Sequence, residues 1–238
     1  MRDKDNSTAV SANSTVPTRE VVLVVFDGVE TLDVAAPASA FDKASALVPG
    51  AYHVTLASPQ GGRITTNAGF AMADTQALQT CNGPIDTLVV AGGDETALRT
   101  AILEQGVGAW IAGAAPRIRR VASICTGAFA LAAAGLLDQR NATTHWNACD
   151  LLRTLFPHTT VHHDRIYVQD GPVWTSAGVT TCLDLTLALI EADLGRPVAM
   201  QIARNLALFM LRGETQPQIS PALQAQADAS SRLRELLA

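Results

Sequence analysis

Three features of this chain predict an α/β fold built on a doubly wound, mostly parallel sheet. The run Val21-Val22-Leu23-Val24-Val25-Phe26 is continuously apolar and mostly β-branched, as a parallel strand covered by helices on both faces requires. Runs of this kind then alternate with segments of helical spacing along most of the 238 residues, the pattern of β-α-β units. Finally, in Val121-Ala122-Ser123-Ile124-Cys125-Thr126-Gly127-Ala128-Phe129-Ala130 a small apolar strand stops at a cysteine, and Thr-Gly opens an alanine-rich helix. That order of strand, tight turn and helix sets Cys125 at the carboxyl end of a strand, where open α/β sheets place their ligand sites.

Residues 1–19 are rich in Ser, Thr, Asn and Asp without periodicity and predict a disordered lead-in. The folded domain is expected over residues 20–212. Asp27-Gly28 ends the first strand, and Val34, Ala35, Ala38, Phe41 and Ala44 make Leu32 to Leu47 a helix. Val54 to Ser58 reads as the second strand, closed by Pro59-Gln60-Gly61-Gly62, and Ile64 to Ala71 as a short extended or hairpin piece. Thr87 to Ala91 is a third core strand running into Gly92-Gly93-Asp94, with a loop expected from Asp94 to Gln105. A helix at Val107 to Ala114 precedes the strand before Cys125, and the helix from Gly127 to Ala134 ends at Gly135. A helix through Leu151-Leu152 is followed by short strands in Val161 to Val168 and at Val173-Trp174-Thr175 around Asp170-Gly171. Helices from Thr180 to Ala192 and Pro197 to Leu211 close the domain. Residues 213–238 are Gln-, Ala- and Ser-rich and end in a charged helical run, Ser231 to Leu237. They predict a linker or helical arm with little core of its own.

A net charge of −5 argues against nucleic-acid binding through the overall field of the chain. No apolar run reaches membrane-spanning length, and Arg2, Asp3, Lys4 and Asp5 stand where a secretory leader would need an apolar stretch. Cys81, Cys125, Cys149 and Cys182 show neither C-x-x-C nor zinc-ligand spacing. A cytoplasmic protein with free thiols, without cofactor or membrane association, is the expectation.

Four features could converge on one pocket. At the head of a helix, Cys125 is expected to have its thiolate favoured by unpaired backbone N–H groups. Asp33, in the apolar setting Thr31-Leu32-Asp33-Val34, is either a first-turn aspartate or a desolvated, protonatable acid hydrogen-bonding the thiol. Gly92-Gly93 at a strand end serves either as an ordinary turn or as an oxyanion-type nest, with the Thr126 N–H as second donor. His145, in Thr-Thr-His-Trp, is either a base near the thiol or a structural histidine. His162-His163-Asp164 looks like a metal fragment, but neighbours on a strand point to opposite faces and no metal is expected. Trp146 and Trp174 either line the pocket or fill the core, and the core is the expectation.

Phe26-Asp27-Gly28-Val29-Glu30-Thr31-Leu32-Asp33, Val90-Ala91-Gly92-Gly93, Ser123-Ile124-Cys125-Thr126-Gly127 and Ala142-Thr143-Thr144-His145-Trp146 together resemble the ThiJ/PfpI superfamily. The resemblance covers roughly Glu20 to Leu211 and implies the class I glutamine amidotransferase-like, flavodoxin-like fold with a cysteine nucleophile elbow. It makes Cys125 the elbow cysteine, Asp33 the acid that contacts it and His145 a pocket histidine. Protease-like members carry histidine directly after the cysteine; Thr126 stands there instead, so peptidase activity is not implied. Cys125, Thr126 and Asp33 look more like the isonitrile hydratase branch, in which a thiolate adds to the isonitrile carbon.

The later half is similar to another branch. Asp164 to Thr180, Glu191 to Ala199 and the tail Gln216-Pro217-Gln218-Ile219-Ser220 resemble the sensory domain of AraC-family transcription regulators. In those regulators the tail leads into helix-turn-helix motifs, whereas the residues after Ser220 here are too few for one, so either a truncated sensory domain or a standalone relative is expected. By that resemblance the chain is expected to bind a small metabolite in the Cys125 pocket, and family membership implies a homodimer. The alternative is a cysteine-dependent hydro-lyase of the isonitrile hydratase type, and a third reading is a redox-responsive protein.

Overall fold

The computed structural model describes residues 17–226; the expected helical run at 231–237 and most of the expected lead-in lie outside the described residues. The chain runs β1 (Arg19–Val24), α1 (Thr31–Leu47), β2 (Tyr52–Ser58), β3 (Gly62–Thr65), β4 (Ala71–Ala77), β5 (Thr87–Val90), α2 (Glu95–Leu103) and α3 (Val107–Ala114). It continues through β6 (Arg120–Ile124), α4 (Ala128–Ala133), β7 (Asn141–Ala142), α5 (Cys149–Leu155), β8 (Thr160–Val161), β9 (Tyr167–Asp170), β10 (Val173–Ser176), α6 (Cys182–Leu194) and α7 (Arg196–Asn205). An eight-stranded sheet has the order β3-β4-β2-β1-β5-β6-β10-β9. Its inner neighbours pair in parallel, and the edge strands β3 and β9 pair antiparallel to β4 and β10. β7 and β8 form a separate parallel pair. The α/β fold expected from the alternation is present, with the Ile64 to Ala71 piece resolved into the β3–β4 hairpin.

The pleat divides β1 between two cores, as period-2 alternation demands. Val21, Leu23 and Val25 enter the core shared with Phe41 of α1, Leu185 of α6 and Ile202 of α7. Val22, Val24 and Phe26 enter the core shared with Leu98 of α2, Ile111 of α3 and Leu131 of α4. Both faces of the sheet are therefore covered, which is why its strands read as unbroken apolar runs. Among the described residues no helix is long and apolar enough to cross a membrane.

Three expectations need correction. The stretch from Asp94 to Gln105 is mostly helix, because the Asp94 carboxylate accepts the N–H groups of Thr96 and Ala97 and caps α2. The last helix stops at Asn205; Ala207 takes a left-handed φ of 53°. The chain then turns back so that Arg212 meets Asp184 through both backbone and guanidinium. Trp174 is buried, but Trp146 is 54% exposed, because the short 3-10 turn that carries it runs along the surface.

At the end of the sheet where β1, β2 and β6 begin, Asp193 of α6 gathers a buried polar cluster. Its carboxylate accepts from both terminal nitrogens of Arg120, at 2.5 and 3.2 Å, from Arg119 at 2.9 Å and from the Tyr52 hydroxyl at 2.8 Å. The Arg120 and Asp193 side chains are only 4% and 2% exposed, so each needs the other to offset its lost hydration. Replacing Asp193 with Ala leaves Arg120 buried without its counter-ion and is expected to destabilise the domain by about 3 kcal/mol. A urea titration reads this as a lower midpoint with unchanged slope.

Candidate functional site

At the opposite end of the sheet, β6 delivers Cys125 into a tight turn. The cysteine adopts a left-handed φ of 53°, a conformation that side chains other than glycine seldom take and that persists only where the surroundings impose it. Cys125 to Gly127 form a 3-10 turn before the short α4. Gly92 and Gly178 make the turn possible by letting backbone approach it. A Cβ on Gly92 would lie 2.7 Å from the Cys125 Cβ and 2.9 Å from Asp33 Oδ2; one on Gly178 would lie 2.1 Å from the Cys125 Cβ. The same numbers place Asp33, Gly92 and the 178–179 loop directly around the thiol-bearing residue.

Asp33 is fully buried in the first turn of α1, whose cap is the Glu30 carboxylate accepting the Leu32 N–H. The Asp33 carboxyl accepts the Gly92 N–H at 3.1 Å and the Val179 N–H at 2.9 Å. Two such donors favour the carboxylate, but burial outweighs them, and its pKa is raised to about 7. Cys125 is pushed up to about 12, first by burial and then by the Asp33 charge, against the lowering effect of the Thr126 N–H and hydroxyl. The expectation of a favoured thiolate is therefore corrected. The helix behind the thiol is only six residues long, and desolvation beside a carboxyl group overcomes its dipole.

Thr126 is locked to the glycine pair: its hydroxyl oxygen accepts the Gly93 N–H at 3.0 Å and lies 3.1 Å from the Gly93 carbonyl. The backbone donors of Gly92 and Gly93 are thus both engaged within the protein, the first by Asp33 and the second by Thr126. A cavity of about 330 Å³ opens over Cys125, Thr126, Gly93, His145 and Val179. Gly92 and Asp33 lie behind that lining rather than in it. His145 Nδ1 pairs with Asn147 Oδ1 at 2.5 Å, so the histidine shares the cavity with Cys125 while held by its own neighbour.

Sequence reasoning passed over several lining residues. Glu30, Asn67 and Asp94 face the same cavity, and Asn67 binds Glu30 through its side-chain amide at 2.5 Å. Glu30 sat within the quoted Phe26–Asp33 motif, and Asp94 directly followed Gly92-Gly93. Val179 gave no signal, because its part is played by a backbone N–H at a φ of 50°. His162 and His163 turn to separate partners, Asn141 for the first and Asp150 and Arg153 for the second. Among the described residues no cluster of three or more His, Cys, Asp or Glu could hold a metal ion.

Two outcomes are expected from this geometry. Gly178→Ala must move the 178–181 loop, costing about 2 kcal/mol and releasing the Val179 N–H from Asp33. Denaturant melts and faster iodoacetamide alkylation of Cys125 read the two effects. The raised Asp33 pKa favours folding at low pH, and that contribution is lost as pH rises through about 7. Between about pH 4 and about pH 7 it lowers stability by on the order of 4 kcal/mol. Asp33→Asn should remove this slope from a plot of unfolding free energy against pH.

Residues 19–192 match the DJ-1/PfpI family. Over 128 residues, 53% of the chain, it is 44% identical to a Streptomyces lividans protein described as an uncharacterized protein in the cpoL 5′ region, spanning 86% of that protein. The HTH-type transcriptional regulator CdhR of Pseudomonas aeruginosa is 32% identical over 161 residues, 68% of this chain and 46% of the regulator. The chain thus spans about half the length of that regulator. An isonitrile hydratase from Pseudomonas putida is 32% identical over 143 residues, 60% of each chain. A ThiJ/PfpI family protein from Pseudomonas syringae shares the fold at a TM-score of 0.73 and 22% identity, covering 97% of this chain and 93% of its own. With a six-strand parallel core, a cysteine elbow and a family match that takes in most of the described residues, this chain belongs to the DJ-1/PfpI family.

Proposed function

We propose that this domain binds a small amine-bearing or cationic metabolite over Cys125, in the manner of a ligand-sensing domain of AraC-type regulators. The observation that carries this reading is the engagement of the site's anion-stabilising groups. Gly92 and Gly93 already donate to Asp33 and Thr126, and the thiol is held far from ionisation at neutral pH. Covalent catalysis through a thiolate needs free donors aimed at the developing charge and an ionisable nucleophile. A resting site that supplies neither is better suited to holding a ligand than to turning it over. The charge of the ligand follows from the lining. Glu30 and Asp94 contribute carboxylates, and among the described residues no lysine or arginine lines the cavity, so it favours positive charge. The likeness to CdhR supports the same reading.

The hydratase reading has one specific support: Cys125, Thr126 and Asp33 all crowd the same face of Gly92, and Asp33 titrates near neutrality. There the Cys125 S–H would add to the isonitrile carbon, sulfur and proton both ending on that carbon with Asp33 relaying the proton. Water would then add to the thioimidate carbon, and cleavage of the C–S bond would return the thiol and release the N-substituted formamide. One experiment separates the two. Calorimetric titration with a panel of small amines and quaternary ammonium compounds is expected to give binding that Cys125→Ala retains. Incubation with para-nitrophenyl isonitrile is expected to give no product. Iodoacetamide alkylation of Cys125 should stay slow at neutral pH and climb towards about pH 12. Isonitrile turnover lost in Cys125→Ala would replace the sensing reading with the hydratase one.

A further inference from the structure

The segment after α7 is not idle. Arg212 anchors it to Asp184, whose side chain is 4% exposed. Glu214 pairs with Arg165 at 3.0 Å, and the Gln216 carbonyl accepts the Ile166 N–H at 3.2 Å. Gln218 then inserts its amide nitrogen among three acceptors: the Thr144 carbonyl at 2.9 Å, the Arg165 carbonyl at 3.1 Å and the Thr143 hydroxyl at 3.2 Å. Thr144 in turn donates its hydroxyl to the Cys125 carbonyl at 2.7 Å. One residue therefore lies between the strap formed by residues 213–226 and the elbow cysteine. His145, the next residue along, lines the Cys125 cavity, and Trp146 lines a second one.

We infer that Gln218 is a positioning residue for the Cys125 elbow, and that docking of the 213–226 strap and closure of the elbow form one coupled equilibrium. Thr144 is the link: its carbonyl holds the strap and its hydroxyl holds the Cys125 backbone. The strap is held well enough to dock and poorly enough to leave. The Gln218 amide has two hydrogens for three acceptors, and its Oε1 is buried without a partner among the described residues, which costs part of what the amide nitrogen contributes. Among the described residues a cavity of about 510 Å³ lies between the strap and Trp146, His163 and Asp164, so these residues do not pack the strap to interior density. Coupling of this kind is reciprocal: a molecule that displaces the elbow or His145 weakens strap docking, and a displaced strap loosens the elbow. The inference rests on the Cys125 site and not on which ligand that site accepts.

The test uses the full chain and a small probe of known chemistry, iodoacetamide, with alkylation of Cys125 followed by peptide mass spectrometry at one fixed pH. Gln218→Ala is expected to raise the Cys125 rate about fivefold, the population shift from losing one net hydrogen bond. In the same variant the Ile166 amide, freed from Gln216, should exchange faster with deuterium. Thr144→Val keeps the carbonyl that Gln218 uses but removes the hydroxyl link. Adding Gln218→Ala to it should leave the alkylation rate unchanged, a non-additivity that a purely local packing role does not produce. Faster exchange at Ile166 with an unaltered Cys125 rate would overturn the coupling, as would unaltered values of both. Should Thr144→Val fail to fold, the paired readings on Gln218→Ala decide alone. A chain that binds no amine yet shows the alkylation coupling would remove the sensing proposal and leave this one standing.

Discussion

Close approach of backbone to Cys125 is the constraint on which the rest of the site depends. The Gly92 and Gly178 segments both come nearer to its Cβ than any side chain would allow. Because they do, the Asp33 carboxyl can receive an N–H from each neighbourhood, Gly92 on one side and Val179 on the other. The left-handed φ angles at Cys125 and Val179 are local costs of about 1–3 kcal/mol each, tolerated because these contacts over-determine them. The strands β1, β5, β6 and β10 exist, from the site's point of view, to bring those loop ends to one place.

Electrostatics at the elbow is decided by desolvation. A helix start and two backbone donors both favour negative charge, which is the ordinary reading of a cysteine after a strand. Burial of the whole assembly acts against this on both ionisable groups at once, and the Asp33 charge further opposes the Cys125 thiolate. The thiol therefore rests protonated, while the acid stands near its midpoint at neutral pH. Short α4 adds little, since a dipole needs length and exposed N–H groups to act on a neighbour.

Much of the architecture is legible in the amino-acid sequence. Unbroken apolar runs such as Val21–Phe26 announce strands covered on both faces, and the strand–Cys–Thr–Gly–Ala order announces an elbow. Cys125, Thr126, Gly93 and His145 do share a cavity, with Asp33 and Gly92 directly behind it. What escaped was carried by groups that leave no trace in residue type. Val179 acts through its N–H, and the Gly92 and Gly93 amides could not be known as engaged until their partners were placed. Helix α2 was hidden because its cap, Asp94, looked like the end of a turn. Trp146 was misplaced because size and apolarity favour burial in general, whereas its 3-10 turn runs on the outside.

The bond between Val179 and Asp33 joins residues 146 positions apart. At roughly 5–20 residues per second on the ribosome, on the order of ten seconds separates the emergence of the acid from that of its second donor. Cys125 itself comes 54 residues before Val179, so for the last several of those seconds the sulfur has been made without the donor that completes its surroundings. The burial that keeps the thiol protonated in the finished domain is still missing. The shielding of this sulfur is therefore a property of the completed sheet, acquired only when the carboxyl half is in place.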